Sequence, residues 1–144
     1  MDEKVDHGPI IKVAEIPISP KDNYLSLEKS TASLAAKMII EILPDFVRGK
    51  IKTTLQNHQL ATYTKKFSGS DAEVDLKKDS SVDIERKIRA LNPEPGVYTE
   101  TDRGRIKIIE AENRAGKIMI KKIQFAGKKI RPIKSEEANK IFNL

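Results

Sequence analysis

The chain has 144 residues, of which 38% are hydrophobic and 33% are charged, and its formal net charge is +6. A chain of this length can bury roughly 68% of its unfolded surface in one domain, so an independent fold is possible. Its longest apolar runs, such as Met38–Ile40, are far shorter than the roughly 20 residues of a membrane-spanning helix. The absence of cysteine excludes disulfides, cysteine-ligated zinc and thiol catalysis within these residues. No apolar signal segment follows Met1, so a cytoplasmic location is expected.

The first part of the chain predicts one strand followed by one helix. Residues 9–18 are rich in β-branched side chains, which predicts a buried strand. Asp22 or Ser26 can cap a helix after it. Pro44 is expected to break or kink this helix, and Gly49 is expected to end the segment. The apolar residues that fall on one helical face are Leu34, Ala35, Met38, Ile39, Ile42 and Leu43.

Residues 50–67 have little apolar periodicity and predict a linker between two domains. A short strand is expected at Glu73–Leu76. Ser80, with Asp83 three residues later, has the pattern of a helix N-terminus. This helix should end before Pro93, because proline disfavours helical geometry in the residue that precedes it. The apolar face of the helix consists of Ile84, Ile88 and Leu91.

The remainder of the chain predicts a small sheet and a last helix. Strands are expected at Val97–Thr101, Arg105–Ala111 and Lys117–Phe125, and the helix at Ser135–Phe142. In the third strand the apolar alternation shifts by one residue at Lys121-Lys122. Such a shift indicates a bulge or corner, the device by which a small sheet closes into a barrel.

Positive charge is concentrated in residues 103–134, which contain eleven lysines and arginines but only Glu110 and Glu112 as acids, a net charge of +9. One interpretation is a surface that follows a phosphate backbone. The other is that these side chains only solvate the outer faces of strands, and charge alone does not decide between the two. Gly127-Lys128-Lys129 lacks the upstream glycine and the following Ser or Thr of a phosphate-binding loop, and no metal-ligand spacing is present.

Three segments, in their order and spacing, carry a family resemblance. Arg89–Glu100 contains an Asn-Pro-x-Pro-Gly stretch, Gln124–Lys129 has the pattern Gln-x-x-Gly-Lys-Lys, and Met1–Pro9 contains an Asp-x-Gly turn at Asp6. With Ala61-Thr-Tyr63 in the linker, they resemble the C-terminal half of methionyl-tRNA formyltransferase. Glu94 and Leu76 depart from the family, which commonly has tryptophan at these positions, and the stretch between Ala111 and Lys117 is short.

The resemblance implies an α+β protein. Residues 1–52 would be the remnant strand and helix of a Rossmann-like formyltransferase catalytic domain, and residues 53–67 a linker. Residues 68–144 would form a small OB-like β-barrel with flanking helices that binds tRNA.

The family transfers a formyl group from 10-formyltetrahydrofolate to the amino group of initiator methionyl-tRNA in translation initiation. By resemblance Asp6 is the catalytic carboxylate, and Met1, Asp2, Val5 and Asp6 belong to the cofactor-binding loop. The family's Asn-x-His motif and Ser-Leu-Leu-Pro turn are not among these residues. The folate site is therefore incomplete, and formyl transfer by this chain alone is not expected.

The two histidines are not assigned a catalytic role. His7 directly follows Asp6, and adjacent residues of an extended segment point to opposite sides. His58 follows Asn57 without the residue that separates Asn and His in the family motif.

Matching positions suggest that Arg89, Lys107, Lys128 and Lys129 face tRNA. The expected partners are initiator methionyl-tRNA and a separately encoded N-terminal half, with no metal, membrane or DNA. Three hypotheses follow: a truncated or split formyltransferase, which we favour; a freestanding, non-catalytic tRNA- or RNA-binding OB-like module; and a decayed remnant that folds poorly.

Overall fold

The computed structural model describes residues 3–144, so Met1 and Asp2 of the expected cofactor loop lie outside the described residues. The chain divides into two compact units, one ending at Lys65 and the other comprising Lys66–Leu144. The described residues contain α-helices and one antiparallel sheet, which confirms the α+β class. The expected boundaries 1–52, 53–67 and 68–144, and the Rossmann-like ancestry of the first segment, stay predictions.

The first unit is dominated by one long helix, α1 (Tyr24–Val47). Its N-cap is Asn23, whose side-chain Oδ1 accepts a hydrogen bond from the Ser26 amide at 3.0 Å. α1 runs through Pro44 without the expected break and ends three residues later, before Gly49 at a φ of 67°. None of its residues is buried within the described structure. In the part of the chain that the structure describes, no helix is long and apolar enough to cross a membrane.

The buried strand expected at residues 9–18 is wrong. The segment is extended but mostly exposed, and a single antiparallel bridge joins Ile10 to Thr54. Pro9, Pro17 and Pro20 have no amide hydrogen to donate to a ladder. A β-branched run therefore stays a single extended segment here, because no second strand pairs with it along its length.

The second unit begins with a short 3₁₀ turn at Gly69–Ala72, followed by helix α2 (Ser81–Leu91). The predicted cap of α2 is confirmed, since the Ser80 hydroxyl accepts from the Asp83 amide at 3.1 Å. The expected strand at Glu73–Leu76 is reduced to one parallel bridge between Glu73 and Tyr98. The last helix, α3 (Ser135–Phe142), has the predicted bounds.

A four-stranded antiparallel sheet lies between α2 and α3 in sequence. Its strands are β1 (Tyr98–Thr101), β2 (Gly104–Arg114), β3 (Lys117–Phe125) and β4 (Arg131–Pro132), in the order β1-β2-β3-β4. β1 and β4 are thus the edge strands among the described residues. Closure of this sheet into an OB-like barrel stays a prediction.

The register of β2 with β3 shifts twice, close to the predicted irregularity. Ile108 pairs with Ile123, Glu110 with Lys122, and Ala111 with Ile120. Ile109 is therefore the extra residue of β2, and Lys121 is the extra residue of β3. The second shift compensates the first, so the apolar side chains on both sides of the bulges face the same core.

The core of the second unit lies between the sheet and the helices α2 and α3. The predicted apolar face of α2 is buried there, as are Ala138, Ile141 and Phe142 of α3. The largest fully buried side chains are Ile84, Ile106, Ile108, Ile123, Val74 and Val97. The second unit therefore has a buried core of its own. The first unit has an amphipathic helix with large exposed apolar residues, among them Ile40, Leu43 and Phe46.

We expect amide hydrogen exchange to differ between the two units. The amides of α1 should exchange at least about tenfold faster than those of β2 and β3, because local opening of an element without buried side chains costs little free energy. Exchange followed residue by residue on the whole chain checks this. Equal protection in α1 and in the β2–β3 pair would contradict it.

Candidate functional site

The Asp-x-Gly turn of the sequence analysis is found at the surface of the first unit. Asp6 has a φ of 53°, in the left-handed region, and its side chain is exposed. Its carboxylate makes no hydrogen bond or ion pair with any described residue. Val5 is 89% exposed. Both residues are therefore accessible to a ligand.

Gln56 holds this turn in place. Its side-chain Nε2 donates to the carbonyl oxygens of Asp6 at 2.9 Å and of Gly8 at 2.6 Å. Two backbone hydrogen bonds between Ile10 and Thr54, of 2.8 and 2.9 Å, extend the connection. The orientation of Asp6 thus depends on residues about fifty positions later, which the spacing of the sequence motif gave no means to predict.

The structure also brings together the two histidines. The rings of His7 and His58 are stacked, with centroids 3.6 Å apart and planes 8° from parallel. They line an open cleft of about 570 Å³ together with Asp6, Asn57 and Tyr63. The residues described contain no group of three or more metal-ligating side chains. The stack covers one face of each imidazole. That neither histidine is catalytic stays a prediction.

In the second unit the basic block of residues 103–134 separates into two kinds of side chain. One kind is ion-paired on the outer surface. Arg105 Nε lies 2.9 Å from Glu100, Lys122 Nζ lies 2.6 Å from Glu110, and Arg131 Nη2 lies 2.6 Å from Glu137. Glu112 Oε1 lies 2.5 Å from Arg114 Nε and 2.9 Å from Lys121 Nζ.

These pairs shift the titration of the acids. Hydrogen bonding from Arg131 lowers the pKa of Glu137. Hydrogen bonding from Lys121, with the nearby charge of Arg114, lowers the pKa of Glu112. Both carboxylates are therefore ionised at neutral pH and compensate the cations beside them.

The second kind of basic side chain is not compensated. Lys107, Lys128 and Lys129 have no carboxylate within 4.0 Å among the described residues, and the same holds for Arg103, Lys117 and Lys134. Lys107, Lys128 and Lys129 belong to the set that the sequence resemblance assigned to tRNA. The fourth member, Arg89, is half-buried in the last turn of α2.

Lys107 is held against the loop between α2 and β1. A Cβ atom at Gly96 would lie 3.0 Å from the Lys107 Nζ and 3.0 Å from the carbonyl oxygen of Pro93. Gly96 also has a φ of 87°, which other residues rarely adopt. The glycine of the Asn-Pro-x-Pro-Gly stretch is thus favoured both by its backbone conformation and by the close approach of the Pro93 carbonyl oxygen.

Lys128 and Lys129 are presented by the turn between β3 and β4, and Gln124 organises this turn. Gln124 Nε2 donates to the Lys128 carbonyl oxygen at 2.9 Å, and the Lys128 amide donates to the Phe125 carbonyl oxygen at 3.0 Å. Gly127 supplies a φ of 68°. Gln124 also lies opposite Lys107 in the β2–β3 register, so it connects the strand lysine to the turn lysines. Sequence reasoning quoted the motif but missed this role of its glutamine.

Asn92 connects α2 to the same sheet. Its Nδ2 donates to the carbonyl oxygens of Ile108 at 2.9 Å and of Ile109 at 3.1 Å, and its Oδ1 accepts from the Val97 amide at 2.9 Å. The two carbonyls belong to the bulge of β2, where ladder partners are missing. Asn92 therefore fixes Arg89, three residues earlier on α2, relative to the strand that bears Lys107.

Comparisons with known proteins agree with this arrangement. The family described as formyl transferase, C-terminal domain, matches residues 66–117. Methionyl-tRNA formyltransferase of Kosmotoga olearia is 34% identical over 155 aligned residues, which cover 90% of this chain and 50% of that protein. The protein of the same name from Nitrosospira multiformis is 33% identical, covering 83% of this chain and 40% of that protein. That of Acidiphilium cryptum is 37% identical, covering 81% and 37%.

The chain spans half or less of the length of these relatives. The similarity nevertheless covers both units, and the family match begins at the first residue of the second unit. Over most of its own length the chain is therefore similar to methionyl-tRNA formyltransferases, and its second unit matches their C-terminal domain.

Proposed function

We propose that the second unit binds the phosphate backbone of initiator methionyl-tRNA, as the tRNA-binding part of a methionyl-tRNA formyltransferase. The observation that carries the proposal is that some cations of this unit are paired with glutamates and others are not. Glutamates compensate several lysines and arginines of the sheet, whereas six cations of residues 103–134 have no carboxylate partner among the described residues. Of these six, Lys107 lies opposite Gln124 on β3, and Lys128 and Lys129 lie in the turn that Gln124 holds. Uncompensated lysines on adjacent elements attract a polyanion, and such contacts position a protein without reading sequence.

The proposed architecture of this unit is an OB-like barrel. Its support comes from the short edge strands and from the paired bulges at Ile109 and Lys121, which increase local twist and bend a sheet. OB folds bind nucleic acid on such a strand face and through its flanking loops. Lys107 lies on a strand, and Lys128 and Lys129 lie in a flanking turn, so their positions suit this mode.

For the first unit we propose that Val5 and Asp6 form one side of the site for 10-formyltetrahydrofolate. The accessible carboxylate and the adjoining cleft of about 570 Å³, within the usual range for small-molecule sites, are compatible with such a ligand. The ligand would supply the formyl group, and Asp6 would orient the amine that accepts it. Formyl transfer would also need the family's Asn-x-His motif, and we propose that a separately encoded N-terminal half supplies it.

A second candidate function is a freestanding RNA-binding module without chemistry. It is favoured by the absence, among the described residues, of any hydrogen-bonding partner for the Asp6 carboxylate. A general acid or base acts only through groups within hydrogen-bond reach. Complementation with an N-terminal half distinguishes the two functions.

The first prediction concerns the two turn lysines. Replacing Lys128 and Lys129 by alanine should weaken tRNA binding and flatten the dependence of log K on log salt by about 0.7 to 0.9 for each lost phosphate contact. The matched control is Lys77→Ala with Lys78→Ala. It removes the same charge from another exposed turn, where Lys77 lines a cleft with Glu73 and Asp75. Binding isotherms at several salt concentrations measure both. An equal change in slope for the two double variants would contradict a local contact.

The second prediction tests whether tRNA affinity depends on the position of the turn that carries Lys128 and Lys129, apart from the charge of these lysines. Gln124→Ala leaves every lysine in place but removes the hydrogen bond to the Lys128 carbonyl. A bond of this kind contributes about 0.5 to 1.5 kcal/mol, so tRNA affinity should fall by about two- to tenfold while the salt slope stays the same. Gln59→Ala, at an exposed glutamine of the first unit, should change neither quantity. A salt slope that falls along with affinity would show that Gln124 does not act by positioning the turn.

The third prediction concerns chemistry. This chain alone should not formylate methionyl-tRNA, and addition of an N-terminal half that carries Asn-x-His should restore formyl transfer from 10-formyltetrahydrofolate. Asp6→Asn should then remove most of the activity, because it abolishes the charge that orients the amine. Asp45→Asn, at another exposed carboxylate of the same unit, is the control. Turnover by the chain alone that is insensitive to Asp6→Asn would refute the site assignment.

A further inference from the structure

Tyr98, Glu100 and Arg105 share the face of the β1–β2 pair opposite to Ile106, because the register pairs Thr99 with Ile106 and Glu100 with Arg105. The Tyr98 ring is itself part of the buried core cluster. The Arg105 guanidinium carbon lies 3.8 Å above the centre of the Tyr98 ring. Tyr98 itself is only 5% exposed, and its hydroxyl donates to Glu73 at 3.2 Å. The ring is therefore a fixed support for the guanidinium, and is not itself accessible to a ligand.

Glu100 fixes the guanidinium in a second direction. It lies directly opposite Arg105 in the β1–β2 register, and its Oε1 accepts from Arg105 Nε at 2.9 Å. The Arg105 side chain still retains 54% of its exposure. The Tyr98 ring lies on one side of the guanidinium and Glu100 binds its Nε, so the exposed part of the group lies on the sides away from these two residues.

We propose that the outer face of the Arg105 guanidinium is a stacking platform for an unpaired RNA base. Proteins that bind single-stranded RNA segments stack their bases on aromatic rings and on guanidinium planes. The charge of Arg105 is already balanced by Glu100, so the contribution left to it is a flat, preorganised surface. This inference rests on the proposed RNA-binding function.

The neighbouring lysine fits the same ligand. Lys107 lies two residues beyond Arg105 on β2 and therefore on the same face of the sheet, about 7 Å along the strand. It has no carboxylate partner among the described residues. A nucleotide whose base stacks on Arg105 can place a backbone phosphate toward Lys107, so the two residues together match one unpaired nucleotide.

Two other arginines of the second unit show what is particular to Arg105. Arg131 also lies over a ring, that of Phe125, but at 5.6 Å, and both of its terminal nitrogens bind Glu137, at 3.1 and 2.6 Å. Arg114 Nε also lies beside a glutamate, Glu112 at 2.5 Å, which it shares with Lys121, and no cation–ring contact is found for it among the described residues. Arg114 is thus a control arginine on the same strand, paired with an acid but without a platform.

The test uses two RNA hairpins of identical stem, one blunt and one with a single-stranded 3′ extension that contains 2-aminopurine. The wild-type chain should bind the extended hairpin more tightly and change its 2-aminopurine fluorescence. Arg105→Lys, which keeps the charge and loses the plane, should weaken binding of the extended hairpin by about 5- to 150-fold, the range for loss of one stacked base. It should leave the blunt hairpin within about twofold. Arg114→Lys should change neither affinity.

Arg105→Gln tests the platform in a second way, because this variant loses the charge of the arginine but keeps a planar end group. It should retain more of the preference for the extension than Arg105→Lys does, and thermal unfolding verifies that each variant is folded. Equal losses on both hairpins, or no loss on either, would overturn the platform. Equal binding of both hairpins by the wild-type chain would overturn the platform alone. Failure of the wild-type chain to bind either hairpin would overturn the RNA-binding function and the platform with it.

Discussion

The arrangement of the second unit depends on the hydrogen bonds of one side chain, Asn92. Its amide nitrogen serves two carbonyls of the β2 bulge, and its oxygen serves the amide that begins β1. Without it, two carbonyls would lose their partner at a cost of about 1 to 3 kcal/mol for each one that is shielded from water. The bond to Val97 also sets the start of β1, and the bonds to Ile108 and Ile109 fix the bulge under the end of α2. Helix, strand and loop are thereby oriented around one residue.

The position of Lys107 is a consequence of this arrangement. Because Asn92 closes the loop back onto β2, the loop passes beside Lys107, and Gly96 lies next to the end of the lysine side chain. The Asn-Pro-x-Pro-Gly stretch and the Gln-x-x-Gly-Lys-Lys turn therefore serve related purposes. In each, an amide side chain bonds backbone carbonyls and a glycine adopts a positive φ, and the result is a defined position for a lysine without a carboxylate partner.

Much of the second unit was predictable from local sequence. The cap at Ser80, the buried face of Ile84, Ile88 and Leu91, and the bounds of β3 and α3 follow from spacing, because their determinants lie within a few residues. The irregularity at Lys121 was also predicted, since a shift in apolar alternation signals it directly.

Most of the misses share one physical cause: they depend on partners distant in sequence. Residues 9–18 have the composition of a strand, yet a strand exists only where another pairs with it, and composition does not report the partner. The stacking of His7 on His58 and the support of Asp6 by Gln56 join residues about fifty positions apart. Amphipathic spacing predicted α1, but it did not predict that the helix would continue through Pro44.

Net charge counted along the sequence is a poor guide to where a polyanion binds, and the sheet shows why. The sequence of residues 103–134 gives a net charge of +9, but the glutamates that neutralise Arg105 and Arg131 lie outside this block, at positions 100 and 137. Cross-strand register and the packing of α3 bring these acids beside their cations, so about half of the cations of the block are paired and the others are not. At such a surface, an arginine that is already paired with a glutamate can still offer its flat guanidinium for stacking. A lysine without a carboxylate partner can instead offer its positive charge to a phosphate. A ligand that offers both a base and a phosphate is the one that uses the two kinds of side chain together.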